Sequence, residues 1–213
     1  MKKVAIVDYK LGNLFSVKQA CKKVGFQADI TANVETISAA DMVILPGVGA
    51  FGTAMENLNK SGIIQPLKDF VSTGKPFVGI CLGMQLMLSK SNEFGTHTGL
   101  GFIAGETRKF PNTNKDNEQF PVPQIQWNQI NLTPNLKHKD FFKFLKNESY
   151  MYFIHSYYCI PQDEETIIST TKYAGLEYPS IIQKENCIGI QFHPEKSGVE
   201  GIKIYKKLKQ LVH

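Results

Sequence analysis

A chain of 213 residues, 42% hydrophobic and 20% charged, can bury a substantial core and is too apolar for a disordered segment. Its net charge of +5 is mild, its lysines are dispersed, and no basic stretch is interleaved with stacking aromatics, which argues against nucleic-acid binding. Four cysteines without a close pair, Cys21, Cys81, Cys159 and Cys187, argue against a disulfide framework or a metal centre and predict free thiols in a reducing cytoplasm.

The opening MKKVAIVDYK sets two lysines before apolar residues, yet the apolar stretch ends at Asp8, too soon for a signal peptide. No later apolar run nears the roughly 20 residues that cross a bilayer, so no membrane association is expected. VAIV (4–7) reads as a strand, and LFSVKQACKKV (14–24) has helical spacing that stops at Gly25. FQADIT, MVIL (42–45) and FVGI (77–80) repeat the strand pattern, with helical patterns around TAMENLNK and IIQPLKDFVSTG between the last two. Nearly continuous apolar strands alternating with amphipathic helices predict an α/β fold whose parallel sheet is covered on both faces. LGMQLMLSK, directly after Cys81, reads as a further helix.

From about residue 101 the runs shorten. FIAGETRKF, PQIQWNQINL, SYMYFI, ETIISTTKY, SIIQKE and CIGIQF read as strands, some of them antiparallel, and PNTNKDNEQFPVP (111–123) as a polar surface loop. A helix from Val199 to Leu211 closes the chain, and its KIYKKLKQ is a solvated face. With no repeat and no Gly/Ser linker, residues 1–213 read as a single domain with a mixed sheet.

GICLGMQ (79–85) follows the strand FVGI. A strand that enters Gly-X-nucleophile-X-Gly and leaves as a helix forms a nucleophile elbow. Gly79 and Gly83 let strand and helix approach closely, while Cys81 is held in a strained conformation that projects its side chain. The first turn of the helix aims free N–H groups and positive dipole at the sulfur, which favours the thiolate. A cysteine nucleophile needs a base, and the base an orienting group. In IQFHPEKS (190–197), Pro194 disfavours helix at His193, so His193 and Glu195 are expected on one side of an extended segment. The carboxylate would then hold one imidazole nitrogen and leave the other for the thiol. LPGVGAF (45–51) supplies a glycine-rich turn whose N–H groups, with that of Leu82, form a candidate oxyanion hole. The rival reading, a phosphate loop, lacks both GK[ST] and G-x-G-x-x-G.

Together GICLGMQ, PGVGAF and QFHPEKSG resemble the triad-type, class I glutamine amidotransferases, and within them the glutaminase subunits of imidazole glycerol phosphate synthases. DYKLGNL and YFIHSYY (152–158) resemble two further segments of that family, and the likeness runs the whole length. The resemblance implies a flavodoxin-like fold with a largely parallel mixed sheet and no cofactor or metal. Cys81 would attack the side-chain amide of L-glutamine, His193 would carry the proton, Glu195 would orient His193, and a thioester would be hydrolysed to glutamate. Val48 and Gly49 would join Leu82 in the oxyanion hole, the Val48 N–H turning inward when the partner docks. Gln85, Gly49, Glu93 and the backbone at His155, Ser156 and Tyr157 would hold the substrate.

Ammonia would pass to a separate (β/α)8-barrel cyclase subunit, in a heterodimer that makes imidazole glycerol phosphate and aminoimidazole carboxamide ribotide for histidine biosynthesis. Two departures stand out. Gln124 and Gln126 replace the usual His and Gly of PHMGWN, and Lys10 replaces a glycine; both segments are expected near the partner face. They leave room for a sugar-aminating synthase of surface-polysaccharide pathways as the partner. A free-standing γ-glutamyl hydrolase and a non-catalytic module of the same fold are the alternatives of other classes. Trp127 is expected in packing or an interface, the other three cysteines as buried inert thiols, and His97 and His138 in polar loops.

Overall fold

Buried strands and amphipathic helices alternate through the first half of the chain, in a computed structural model that describes residues 1–134 and 140–212. His138 therefore lies outside the described residues. Strand β1 (Lys3–Val7) leads to helix α1 (Leu14–Lys23), which buries Val17, Ala20 and Cys21 and sets Lys22 and Lys23 against the negative end of its dipole. Strand β2 (Gln27–Thr31) precedes α2 (Val34–Ser38), a short helix not predicted, whose N-terminus is capped by the Asn33 side chain accepting from the Thr36 N–H. Strand β3 (Met42–Gly47) is buried at every residue and is followed by α3 (Phe51–Lys60) and α4 (Ile64–Ser72). Strand β4 (Phe77–Cys81), equally buried, runs into α5 (Leu82–Leu86).

The helix predicted over LGMQLMLSK stops at Leu86. Beyond it the chain becomes strand β5 (Leu88–Ser91), then β6 (His97–Thr98) and β7 (Ile103–Lys109). Pairing with distant residues overrides local helical spacing here, since Leu88 lies beside Ile103 and Ser91 beside both Thr107 and His97. The remaining strands are β8 (Gln124–Leu132), β9 (Ser149–His155), β10 (Tyr157–Pro161), β11 (Ile167–Tyr173), β12 (Leu176–Lys184) and β13 (Cys187–Ile190). Helix α6 (Gly198–Leu208) follows.

Nine strands form one mixed sheet in the order β2-β1-β3-β4-β13-β12-β11-β8-β9. The first five pair in parallel, in the 2-1-3-4-5 order of flavodoxin-like folds, and the other four extend the sheet antiparallel. FIAGETRKF does not join them: β7 belongs to a second sheet, β10-β7-β5-β6. Strand alternation divides the core. Val4, Ile6, Ile44 and Val78 face α1 and α6, whereas Ala5, Val7, Val43 and Leu45 face α3 and α4, so helices cover both faces as expected. No helix among the described residues is long and apolar enough to cross a membrane.

Candidate active site

The carboxyl ends of β3, β4 and β13 meet where the parallel strands finish. Cys81 ends β4 with φ 55° and ψ −112°, a conformation L residues rarely adopt. Its neighbours explain how it persists. A Cβ on Gly79 would lie 2.6 Å from the Gly83 carbonyl oxygen, and one on Gly83 would collide with the carbonyl of Leu45. Only glycine lets the helix start so close to the sheet.

His193 follows β13 and is 3% exposed. Its N–H donates to the Tyr152 carbonyl at 2.9 Å, and its own carbonyl accepts from Ser197 Oγ at 2.7 Å, which fixes the backbone. Its ring Nδ1 lies 2.7 Å from Glu195 Oε1. The two side chains meet through a 3₁₀ turn over Pro194–Lys196, not by alternation along an extended segment as expected, with Pro194 opening the turn. Nε2 makes no well-formed hydrogen bond among the described residues, yet the Cys81 sulfur acts on it. Burial pulls the imidazole down; the charge of Cys81, its proximity and the Glu195 carboxylate outweigh burial and raise His193 to about 10. The His193 ring is thus favoured in its charged form.

The sulfur opens onto a cavity of about 290 Å³. Val48, Gly49, Cys81, Leu82, Gln85, Glu93, His155, Ser156 and Tyr157 all line it, together with Pro123 and Ile154. Every residue expected to bind substrate or oxyanion thus lines this one cavity, while His193 and Glu195 are not among its lining residues. Gly49, at φ +96°, turns the chain from β3 toward α3. Ala50 gives α3 no side-chain cap; Glu93 supplies it from the loop after β5, its Oε2 accepting from the Phe51 N–H at 2.6 Å. Burial raises the Glu93 carboxyl, against the opposing pull of Phe51 and His97. Burial likewise lowers His155 to about 4, with the charge of His193 adding to it against the contact with Tyr157, so its ring is neutral. His155 Nδ1 lies 2.8 Å from the Tyr157 carbonyl.

Several expectations need correction or refinement. Gln124 is fully buried, not on a partner face. Its Oε1 accepts from the Tyr178 hydroxyl at 2.8 Å, and that hydroxyl lies 3.3 Å from His155 Nε2 beneath the cavity. Gln126 and Lys10 are exposed. Lys10 keeps the left-handed backbone that a glycine would adopt freely, at φ 69°, with its N–H donating to Asp8 Oδ1 at 2.9 Å. That conformation costs an L residue about 1–2 kcal/mol. Trp127 is half exposed and stacks edge-on to Tyr152. His97 packs beside Phe51, near Glu93. Cys21, Cys159 and Cys187 are buried and free; burial raises all three, Cys21 and Cys187 to about 12. Two contacts of the sulfur escaped the sequence: the Ile154 carbonyl, 3.7 Å away, and the Gln191 side chain, 3.8 Å away.

A family model described as glutamine amidotransferase class-I matches residues 5–208. The chain is 41% identical over 212 residues to imidazole glycerol phosphate synthase subunit HisH of Geobacter sulfurreducens, covering 99% of this chain and 100% of that one. It is 45% identical over 201 residues to the HisH subunit of Sulfurimonas denitrificans, covering 94% of each. Among solved structures, a glutamine amidotransferase superposes with a TM-score of 0.72 at 15% identity, covering 98% of both chains. The glutaminase domain of Trypanosoma brucei CTPS gives 0.63 at 13% identity, covering 100% of this chain and 94% of that one. These two show the shared fold. By family match and by sequence, the chain belongs to the class I glutamine amidotransferases.

Proposed function

We propose that this chain is the glutaminase subunit of an imidazole glycerol phosphate synthase, a single domain over 1–213. It hydrolyses L-glutamine and hands the ammonia to a separate (β/α)8-barrel cyclase subunit for histidine biosynthesis. The observation that carries the reading is the cavity at Cys81, a largely apolar space into which Gln85, Glu93 and residues 155–157 bring the few polar groups that a free amino acid needs.

In this mechanism the Cys81 thiolate attacks the side-chain amide carbon of glutamine. The negative oxygen of the tetrahedral intermediate is met by the N–H groups of Leu82 and Val48. The His193 imidazolium gives its proton to the departing nitrogen, so ammonia leaves and a thioester remains on Cys81. Neutral His193 then takes a proton from water, which attacks the thioester and releases glutamate. Glu195 holds the ring through Nδ1 in both steps. Glu93 faces the substrate ammonium, and Gly49 with the backbone at 155–157 faces the carboxylate.

Exposed Ile125, Trp127 and Tyr150 support docking of the cyclase beside this cavity. Ile125 pairs in register with Ile154, which lines the cavity wall. The Cys81→Ala subunit, assembled with its cyclase, is expected to lose glutamine-dependent synthesis by at least about a thousandfold while ammonium-dependent synthesis persists. Steady-state assay with each nitrogen source measures both. Loss of the two together would give Cys81 a structural role instead.

A further inference from the structure

Gln191 lies one residue past β13, is fully buried, and has no part in the mechanism above. Its side chain sits between the nucleophile, Cys81, and Gln85 of the cavity lining. Its Nε2 is 3.8 Å from the Cys81 sulfur, and its Oε1 is 3.3 Å from Gln85 Nε2. We infer that Gln191 is the fixed N–H donor to the reacting sulfur, aimed there by Gln85. The inference rests on Cys81 being the nucleophile.

An isolated amide could present either end to the sulfur; this one cannot. The Tyr157 carbonyl can only accept, so the end of Gln85 that faces it at 2.9 Å is the NH₂. That same NH₂ reaches Gln191, and two NH₂ groups would repel, so Gln191 turns its oxygen to Gln85 and its nitrogen to the sulfur. The Gln191 backbone is held as well, its N–H donating to the Ser180 carbonyl at 2.9 Å. The donor is therefore in place before any substrate arrives.

The need for such a donor follows from the other neighbour. As a thiol, Cys81 donates to the Ile154 carbonyl at 3.7 Å, a contact that favours the protonated form. Once the proton leaves, that carbonyl faces a negative sulfur and offers nothing. The Gln191 N–H gains strength at the same moment, because hydrogen bonds to charged acceptors are about twice as strong as neutral ones. It serves the sulfur twice per turnover, before attack and again when the thioester breaks and the sulfur leaves with its electron pair.

The test is the pH profile of Cys81 alkylation by iodoacetamide in the full chain, read by peptide mass, for wild type and for Gln191→Met, Gln191→Glu and Gln85→Met. Met keeps the volume without a donor, and Glu keeps the shape while placing negative charge beside the sulfur. For Gln191→Met the midpoint is expected to rise by about one pH unit, which slows alkylation about tenfold at pH values well below both midpoints. Gln191→Glu should shift further and Gln85→Met less, in the same direction. Profiles that superimpose on wild type would overturn the inference. Should thermal unfolding show that the Gln191 variants do not fold, Gln85→Met decides, and an unmoved midpoint overturns it equally. If alkylation of wild-type Cys81 leaves glutamine hydrolysis intact, the nucleophile reading fails and this inference with it. If alkylation abolishes hydrolysis but the profiles coincide, only the role of Gln191 falls.

Discussion

An imidazole held between a carboxylate and a sulfur reports the charge of both. Burial alone would discharge His193, yet Cys81 first and Glu195 after it raise the ring to about 10. A ring raised in this way stabilises the folded state fully below about 6.5, the value of the unfolded ring, and loses that contribution as pH climbs through about 10. Replacing Cys81 by Ser removes the leading source of the rise. The His193 titration followed by NMR should then fall by more than about one pH unit, and the decline in stability between those two pH values should shrink. A titration that does not move would leave Glu195 in sole control of the ring. Cys81, His193 and Glu195 could be picked out as candidates in the sequence because each sits in a short local frame, although the HPE frame closes as a 3₁₀ turn and not as the extended segment expected. Gln191 was not legible. In IQFHPE it reads as an ordinary polar strand residue, and only tertiary packing brings it to a sulfur 110 positions away. Gln124 was misplaced for the same reason, since burial of a glutamine depends on partners such as Tyr178, which belongs to another strand.

The strand-to-helix junction is the element on which the site is built, and its tolerance is small. Adding one methyl group at Gly83 drives it into the Leu45 backbone, which cannot swing aside as a flexible side chain would. Gly83→Ala should therefore cost about 3 kcal/mol or more in urea unfolding. A loss below about 1 kcal/mol would mean that β3 and α5 can part without harm. Strands β1, β3 and β4 were readable because a strand buried on both faces must be apolar almost throughout. The run after Cys81 was ambiguous, because apolar Leu86, Met87 and Leu88 suit a helix as well as a strand. The balance was tipped by β7, far along the chain. Helix α2 escaped because five residues carry too little periodicity, although Asn33 and Thr36 held its cap signal.

At the scale of the molecule, the cavity lies on a seam. The parallel half of the main sheet brings Cys81, and the turn between β9 and β10 brings 155–157, so the cavity exists only when both halves are packed. The same seam carries the exposed apolar residues of β8 and β9. Trp127, half exposed and already braced by Tyr152, is suited to anchor a partner. Trp127→Ala should weaken cyclase binding about thirtyfold by calorimetric titration while leaving the melting temperature of the free subunit nearly unchanged. Binding within about twofold of wild type would remove this patch from the interface. Glu93 ties the loop between β5 and β6 of the second sheet to the head of helix α3, across 42 residues. Any change at 93 is consequently a double perturbation, unfastening a helix while altering the cavity wall. A Glu93 variant is therefore read by unfolding and by ligand affinity side by side, the first reporting the lost helix contact and the second the altered wall.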